Sequence, residues 1–231
     1  RPSPGFSHKD RKAKKFKRDK INTRSVAESD SKRKKVLSQE EIQKIREQIR
    51  RQEHDVFLWR MVFDTTLKHG LRAGESMSLK RKHLDLSNEE LRVEGAKGGK
   101  NRTIAIPSGF CPDLSKLARG KEDEDWLFPS PKSGHYSKRS FQTRIRDKWS
   151  MAAGLYSSDV TSNNILEEVP EVQRVTPHTL RHTFATQHLR NGTPIEKVSD
   201  MLGHDDVQTT YSEYSHLVTE DHRGFQNEVG L

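Results

Sequence analysis

Basic side chains stand in four separated segments of this sequence where local packing gives little reason for them. Arg72 follows a Gly-Leu break at the start of a helix of small residues, and Lys97 lies in the glycine-containing hairpin AKGGK. His178 and Arg181 are three residues apart, so both project from one helix face near its N-terminal end, where the macrodipole favours an anion. His204 follows at the end of a later helix. These four places predict an anion-binding site.

Two tyrosines, Tyr211 and Tyr214, come shortly after His204 and complete a set that can do chemistry. Guanidinium groups neutralise the non-bridging oxygens of a phosphate. A tyrosine is a nucleophile, and lysine or histidine moves the protons. Each residue alone has an ordinary interpretation as a surface charge, a cap or a packed ring. The combination predicts phosphoryl transfer without any cofactor.

No cluster of carboxylates or cysteines accompanies these basic residues, so we predict that no metal takes part. His178 and His182 share a helix face, but no glutamate lies between them as it does in a zinc-protease helix. His182 and His188 are interpreted as structural. The single cysteine, Cys111, excludes a disulfide framework and is typical of a reducing cytoplasm.

The net charge of +9 is unevenly distributed over the 231 residues. Residues 1–36 hold 14 Lys or Arg and 4 Asp or Glu, whereas the remaining chain holds 28 and 29. The basic segment has too few apolar residues to fold alone and suits a polyanion such as DNA. A solvated linker or a localisation tag is the alternative. The candidates for DNA contact are Lys14, Lys15, Lys17, Arg18, Lys34 and Lys35.

Helix and strand signals predict an α+β fold that is mostly helical. Order begins near Leu37, where Ser38 and Glu41 form a capping box and Ile42 completes a hydrophobic staple. An apolar helix follows over about residues 56–67, with Gly70 as its C-terminal stop, and a short helix over 73–80. Helical patterns return from Asp113, over about residues 138–153, and again after Thr176 and after Thr193, where Thr193 and Glu196 have the spacing of a capping box. Thr210 to Glu213 has the spacing of a further capping box, while residues 157–174 are predicted to be a loop.

Three short alternating segments, HLDL, LRVE and RTIAI, lie between the helical parts. Turn residues separate them, which predicts a small three-stranded antiparallel sheet. No apolar run approaches the roughly 18 residues that span a bilayer, so we expect no membrane partner. The chain is expected to be cytoplasmic and associated with the nucleoid. Its first residue is Arg1 rather than methionine, which predicts a fragment of a longer protein.

Six stretches of the sequence resemble the catalytic domain of the tyrosine recombinase (phage integrase) family, particularly Xer-like and archaeal or phage integrases. They are GLRAGESMSL, VEGAKGGKNRTIAIP, LFPSPKSGHYSKRSFQTRI, HTLRHTFATQHL, LGH and TT…YSH. They cover about residues 37–218 in unbroken order. HTLRHTFAT followed by LGH is among the more specific signatures of any enzyme family.

The resemblance implies a role for each matching residue. Arg72 matches the first catalytic arginine, and Glu75 matches the acidic residue that supports the site. Lys97, rather than Lys100, matches the hairpin lysine that protonates the departing 5′ oxygen. The other catalytic positions are matched by His178, Arg181 and His204.

The nucleophile departs from the family pattern. The family usually places its tyrosine nine residues after the last histidine, and position 213 here is a glutamate. Tyr214 is one residue further and Tyr211 two residues nearer. The short motifs TT and YSH on either side favour Tyr214, with one residue inserted between the two motifs. Tyr211 is then a packing residue on the same helix.

The implied activity is site-specific DNA recombination through a 3′-phosphotyrosine intermediate, as expected of a mobile element. The partners would be double-stranded DNA and three further protomers, joined in a homotetramer by C-terminal segments such as residues 217–231. Residues 1–36 would be a flexible linker and 37–231 the catalytic domain, while the family's N-terminal helical domain is absent from this chain. Relaxation of DNA by a type IB topoisomerase is one rival function. A non-catalytic DNA-binding remnant is another, favoured by the nearly neutral body and the displaced tyrosine.

Overall fold

The first helix of the structure, a computed structural model, begins where the sequence predicts. The structure describes residues 34–95, 100–132 and 134–215. In α1 (Gln39–Gln52), the Ser38 hydroxyl accepts from the Glu41 N–H and the Glu41 carboxylate accepts from the Ser38 N–H. The apolar stripe of α1 is buried, and the Leu37 N–H donates to Thr183 Oγ1 at 3.0 Å. The capping box therefore holds the start of the chain body against a later helix.

The second helix, α2 (Val56–His69), is the centre of the core. Trp59 and Phe63 are nearly fully buried, and each such side chain stabilises the fold by roughly 1.5–3 kcal/mol. Gly70 ends α2 at φ +60, where a Cβ would lie 2.5 Å from the Phe184 ring. Glycine is thus required there by the backbone and by close packing.

A short helix and the sheet follow. Helix α3 (Ala73–Met77) is three residues shorter than predicted, because Lys80 forms a β-bridge with Trp126. The bounds of the next elements are a 3₁₀ turn (Arg81–His83), β1 (Leu84–Asp85), β2 (Glu90–Val93) and β3 (Arg102–Ala105). The strands pair antiparallel in the order β1-β2-β3, with Leu91 opposite Leu84 and Ile104. The predicted three-stranded meander is confirmed.

The rest of the chain is helical. Its elements are a 3₁₀ turn (Ser108–Phe110), α4 (Cys111–Ala118), α5 (Lys138–Thr143) with a π-helical continuation (Arg144–Ser150), α6 (Ile165–Glu168), a 3₁₀ turn (Glu171–Gln173), α7 (Pro177–Arg190) and α8 (Ile195–Leu202). Residues 207–215 form a last helix. Helix α6 and the turn Glu171–Gln173 interrupt what the sequence predicts to be a loop.

Two predicted capping boxes are wrong. Pro194, not Thr193, is the N-cap of α8, and the Thr193 hydroxyl lies 3.3 Å from His188 Nδ1. Thr210 lies inside the last helix, which starts one turn earlier where the Asp206 carboxylate accepts from a backbone N–H. In both places the threonine hydroxyl that could cap a helix instead contacts a histidine ring nitrogen.

Two apolar clusters hold these elements together. The larger one runs through α1, α2, the sheet and α5. The smaller one joins α7, α8 and the last helix, and it includes Phe184, Leu202 and Tyr214. The predicted nucleophile is therefore part of a packed core. No helix in the described part of the chain is long and apolar enough to cross a membrane.

Candidate active site

The C-terminal end of α8 receives three arginines. Three consecutive backbone carbonyls accept hydrogen bonds there: Met201 from Arg102 Nε at 2.8 Å, Leu202 from Arg181 Nη2 at 2.7 Å and Gly203 from Arg72 Nη2 at 3.4 Å. A helix leaves its last carbonyls without intrahelical partners and carries partial negative charge at this end. The end of α8 thus gathers guanidinium groups from β3, α7 and the start of α3.

Arg72 and Glu75 form an ion pair within the first turn of α3. The Arg72 N–H donates to Glu75 Oε2 at 2.8 Å, and Arg72 Nη1 donates to Oε1 at 3.0 Å. Burial alone would raise the pKa of Glu75, but the hydrogen bonds and charges of Arg102 and Arg72 outweigh it and lower that pKa. Glu75 is therefore ionised, with 2% of its side chain exposed, whereas 41% of the Arg72 side chain is exposed.

Arg181 is a buried cation. Its residue is 2% exposed, and Nη1 donates to the Gly70 carbonyl at 2.8 Å. Burial and the nearby charge of Arg72 lower the pKa of Arg181 to about 10, so the group stays charged at neutral pH. Three guanidinium groups face one carboxylate, that of Glu75, which leaves a net charge of two positive units. Such a surplus attracts a phosphate.

His204 follows the α8 terminus directly. Its Nδ1 lies 2.7 Å from Thr210 Oγ1, which fixes the ring against the last helix. Burial, with the charges of Arg181 and Arg72, lowers the pKa of His204 to about 4. The imidazole is therefore neutral at physiological pH. His178 lines a groove in the first turn of α7, and desolvation lowers its pKa although Glu213 acts in the opposite direction.

Tyr214 is buried beside His182, a histidine that the sequence pattern indicates only as structural. The Tyr214 hydroxyl lies 3.0 Å from His182 Nδ1, and the two rings stack with centroids 5.0 Å apart. Only 2% of Tyr214 is exposed. Burial and the neighbouring Glu213 carboxylate raise the pKa of Tyr214, while Arg181 lowers it. His182 follows Arg181 directly and lies one turn after His178, which is the signal that could have identified it.

Tyr211 and Glu213 have other partners. The Tyr211 hydroxyl donates to Glu196 Oε1 at 2.7 Å, on the first turn of α8. Glu213 pairs with Lys34 at 2.6 Å and lies 3.5 Å from His182 Nδ1. Burial opposes ionisation of Glu213, but His182 and Lys34 lower its pKa to about 2. The two tyrosines of one helix thus end in separate environments.

A groove of about 730 Å³ lies beside Arg72 and His178. Its basic lining side chains are Lys34, Lys35, Arg72, Lys138, Arg146 and Arg174. Glu171 is the acidic residue that lines it among those the structure describes. Of the predicted DNA contacts, Lys34 and Lys35 therefore line this groove. Lys14, Lys15, Lys17 and Arg18 lie outside the described residues.

The predicted hairpin lysine, Lys97, also lies outside the described residues, in the connection between β2 and β3. The residues that flank this connection are joined by a hydrogen bond, in which the Gly95 N–H donates to Asn101 Oδ1 at 2.9 Å. Lys100 donates to the Asp205 carbonyl at 3.3 Å, next to His204. In the described ranges no group of three His, Cys, Asp or Glu residues is arranged to hold a metal ion.

The sequence of the chain that carries these arginines, histidines and tyrosines matches a known protein family. The sequence profile of the phage integrase family matches residues 35–221, so the chain belongs to the phage integrase family. The resemblance drawn from the motifs is thereby confirmed.

Two curated relatives show what the chain is similar to. It is 32% identical over 180 residues to tyrosine recombinase XerA of Pyrococcus furiosus and 31% identical over 166 residues to tyrosine recombinase XerD of Vibrio cholerae. These matches cover 76% and 69% of this chain but 55% and 49% of the relatives. The chain therefore spans about half the length of the curated relatives it matches.

Solved structures share the fold. The crystal structure of XerA recombinase matches with a TM-score of 0.63 and 27% identity, over 86% of this chain and 66% of that one. XerH site-specific recombinase, bound to palindromic difH substrate in a post-cleavage complex, matches with a TM-score of 0.61 and 21% identity, over 84% and 53%. The mostly helical α+β class with a small antiparallel sheet is confirmed.

Proposed function

We propose that this chain carries the catalytic domain of a site-specific DNA recombinase that cuts and rejoins strands through a 3′-phosphotyrosine intermediate. The convergence of Arg72, Arg181 and His204 at one helix end, with Tyr214 beside the neighbouring His182, carries the proposal. Membership of the phage integrase family and similarity to tyrosine recombinases support it.

In the proposed reaction Tyr214 Oη attacks the phosphorus of the scissile phosphodiester. A bond forms between Oη and phosphorus while the bond from phosphorus to the 5′ oxygen breaks. In our proposal the phenol passes its proton to a neutral imidazole of the site, and the leaving 5′ oxygen takes a proton from Lys97. A 5′-hydroxyl of a partner strand then reverses these steps. The bond energy is kept in the intermediate, so neither ATP nor a metal ion is needed.

The charges around α8 suit the transition state of this reaction. Arg181 is held in place by Gly70 and Leu202, so it needs no reorganisation when negative charge develops on phosphate oxygens. Arg72, partly exposed, is available to a second oxygen. His204 is neutral at physiological pH, so we assign it a hydrogen-bonding role rather than a charge. His178 stands at the groove and contacts phosphate in the same proposal.

The nucleophile must move before it can react. The Tyr214 hydroxyl is buried and bound to His182, so a phosphate in the groove cannot reach it in line. We therefore regard the described arrangement as a resting state. A shift of residues 207–215 that releases Tyr214 from His182 would expose the hydroxyl.

The remaining parts of the proposal concern DNA and assembly. The basic groove and residues 1–36 would contact the phosphate backbone, and residues 37–231 would form the catalytic domain. Recombination joins four strands, so four protomers would assemble in the synaptic complex, with residues 217–231 linking neighbours. A helical domain preceding the basic segment would complete the grip on the duplex, as the greater length of the relatives allows.

Covalent capture tests the proposal. A pool of nicked random-sequence duplexes is incubated with the chain in the presence of chelator, and adducts that survive denaturant are recovered and sequenced. We expect an adduct with the wild-type chain and with Tyr211→Phe, whereas Tyr214→Phe binds DNA without forming one. Because phenylalanine keeps the ring and loses the attacking oxygen, the comparison isolates the nucleophile. An adduct with both variants, or with neither and with no wild-type adduct, would end the proposal.

A further inference from the structure

Arg102 is a buried arginine to which neither the spacing of the motifs nor the family resemblance gave a role. It lies at the start of β3, directly after the hairpin that contains Lys97, and its side chain is 6% exposed. Its Nε donates to the Met201 carbonyl at 2.8 Å, and its Cδ and Nη1 pass under Gly203. All three of its donor nitrogens are used inside the site.

The Glu75 carboxylate is shared between this arginine and Arg72. Arg102 Nη1 and Arg72 Nη1 both donate to Oε1 at 3.0 Å. Arg102 Nη2 and the Arg72 backbone N–H both donate to Oε2 at 2.8 Å. Arg102 thus makes the two-pronged pair with the carboxylate, and Arg72 makes a single side-chain bond to it. The geometry of Glu75 is fixed from both sides.

The sharing of Glu75 between the two arginines determines how much of the Arg72 side chain is exposed. A buried carboxylate paired with one guanidinium alone attracts it into a bidentate pair, which is the preferred geometry of the two groups. Here it is Arg102 that forms the bidentate pair with Glu75. Arg72 therefore keeps 41% of its side chain exposed toward the groove, and its Nη2 reaches only as far as the Gly203 carbonyl at 3.4 Å.

We propose that Arg102 is a positioning residue: by neutralising Glu75 and holding the α8 terminus, it keeps the Arg72 guanidinium free for the scissile phosphate. It touches neither the substrate nor the reacting atoms. It also ties β3, and with it the hairpin of Lys97, to the helix end that presents His204. This inference rests on the proposed function, because it assumes that Arg72 contacts phosphate.

Changing the charge of the substrate distinguishes a positioning role of Arg102 from a role in stabilising the fold. The adduct rate is measured on a nicked duplex recovered by covalent capture, with either a normal phosphodiester or a neutral methylphosphonate at the scissile position. The methylphosphonate lacks the charge that Arg72 would neutralise. We expect Arg102→Met to slow the adduct on the phosphodiester by about 10²-fold, the size of effect that misplacing a catalytic group has. On the methylphosphonate most of this defect should vanish.

A second substitution tests the cause. If Arg72 is captured by an unneutralised Glu75, then adding Glu75→Gln to Arg102→Met should restore the phosphodiester rate by about tenfold, an interaction of ordinary size between neighbouring charged residues. A purely structural role predicts the opposite, since removing both partners loosens the site further. Equal defects on both substrates, or a double variant no faster than Arg102→Met, would overturn the inference.

Controls distinguish failure of the inference about Arg102 from failure of the proposed function. Arg46→Met breaks another pair between an arginine and a buried carboxylate, in which Arg46 Nε and Nη2 both donate to Oδ1 of Asp64, at 2.8 and 2.7 Å, between α1 and α2. It should lower stability and leave the ratio of the two rates unchanged. Arg72→Ala must itself be slow on the phosphodiester, and if it is not, the proposed function fails whatever Arg102 does. Should Arg102→Met not fold, Arg102→Gln, which keeps a polar side chain but removes the charge and the two-pronged pair, is measured against the same outcomes.

Discussion

Replacing Gly203 with alanine would disturb the arginines of the site through the backbone and through one added methyl group. Gly203 has φ +65, a conformation that costs an L residue about 1–2 kcal/mol. A Cβ at this position would lie 2.8 Å from Nη1 and 3.0 Å from Cδ of Arg102, so the guanidinium would have to move. Because Nη1 also binds Glu75, the displacement would reach Arg72 through the shared carboxylate.

A matched control isolates the contact from the backbone. Gly120 has φ +72, and nothing lies within 4 Å of the Cβ that alanine would add. Gly120→Ala therefore carries the backbone cost alone, about 1–2 kcal/mol of unfolding free energy. Gly203→Ala should lose about 1.5–3 kcal/mol more, the value of a hydrogen bond to a charged group. Its adduct rate should fall by about 10²-fold at a temperature where it is folded, whereas that of Gly120→Ala stays at the wild-type level.

Chemical unfolding and adduct formation on the captured duplex measure both quantities on the same preparations. Equal decreases of stability in the two variants, with equal adduct rates, would mean that Arg102 adapts to the methyl group without consequence. The coupling from Gly203 to Arg72 through Arg102 would then be refuted.

Three further predictions concern pH, the leaving group and salt. Burial lowers the pKa of His69 to about 4 from an ordinary 6.5, so the unfolded chain takes up a proton that the folded chain does not, and stability falls as the pH drops from about 6.5 to 4, by roughly 3 kcal/mol. His69→Gln should make the melting temperature fall less over that window, with His204 still contributing in the same direction, and an unchanged acid-side decrease would contradict this. Lys97→Ala should slow cleavage of a phosphodiester strongly but hardly that of a 5′-bridging phosphorothiolate, whose sulfur leaves without a proton; equal defects would exclude the general-acid role. Replacing Lys14, Lys15, Lys17 and Arg18 with glutamine should reduce the slope of log K against log salt by about 0.9 for each phosphate that is no longer neutralised, and an unchanged slope would indicate a passive linker.

The parts of the fold that the sequence predicts well depend on neighbouring residues. The capping box of Ser38 and Glu41, the αL stop at Gly70 and the three-stranded meander all form as expected. Each follows from side chains or turns within a few positions of one another. Thr193 and Thr210 have equally good local patterns, and both fail because a histidine takes the hydroxyl. Tertiary partners override local signals there.

The residues of the candidate site also differ in whether the sequence identifies them. Arg72, Glu75, Arg181 and His204 can be identified because their motifs have recognisable neighbours. Arg102 cannot, because the alternation of RTIAI places it on the strand face of the buried Ile104 and Ile106 but does not indicate which groups would pair with a buried arginine. Its burial depends on Glu75, 27 positions earlier, and on Met201, 99 positions later. No local pattern encodes a contact of that range.

The displaced tyrosine bears on how the site is completed. Thr210 and Tyr214 lie on one uninterrupted helix, and Thr210 is held by His204 at 2.7 Å. A residue added within a helix turns all that follows by about 100° and advances it by about 1.5 Å. In the proposed reaction, the family's usual spacing would put the nucleophile at position 213, and here that position is Glu213, which pairs with Lys34.

For the reaction proposed above, we therefore expect the C-terminal part of this helix to turn or unwind by one residue, which would bring the Tyr214 hydroxyl to a phosphate. That step breaks the bond to His182 and withdraws an aromatic ring from the smaller apolar cluster. Loss of such burial costs roughly 1.5–3 kcal/mol, which a few phosphate contacts in the basic groove are enough to offset. A phosphate bound by Lys34 would also release Glu213, the neighbour that now pairs with it. We therefore expect the same DNA contacts that fill the groove to free the nucleophile, so that Tyr214 reacts only when its substrate is in place.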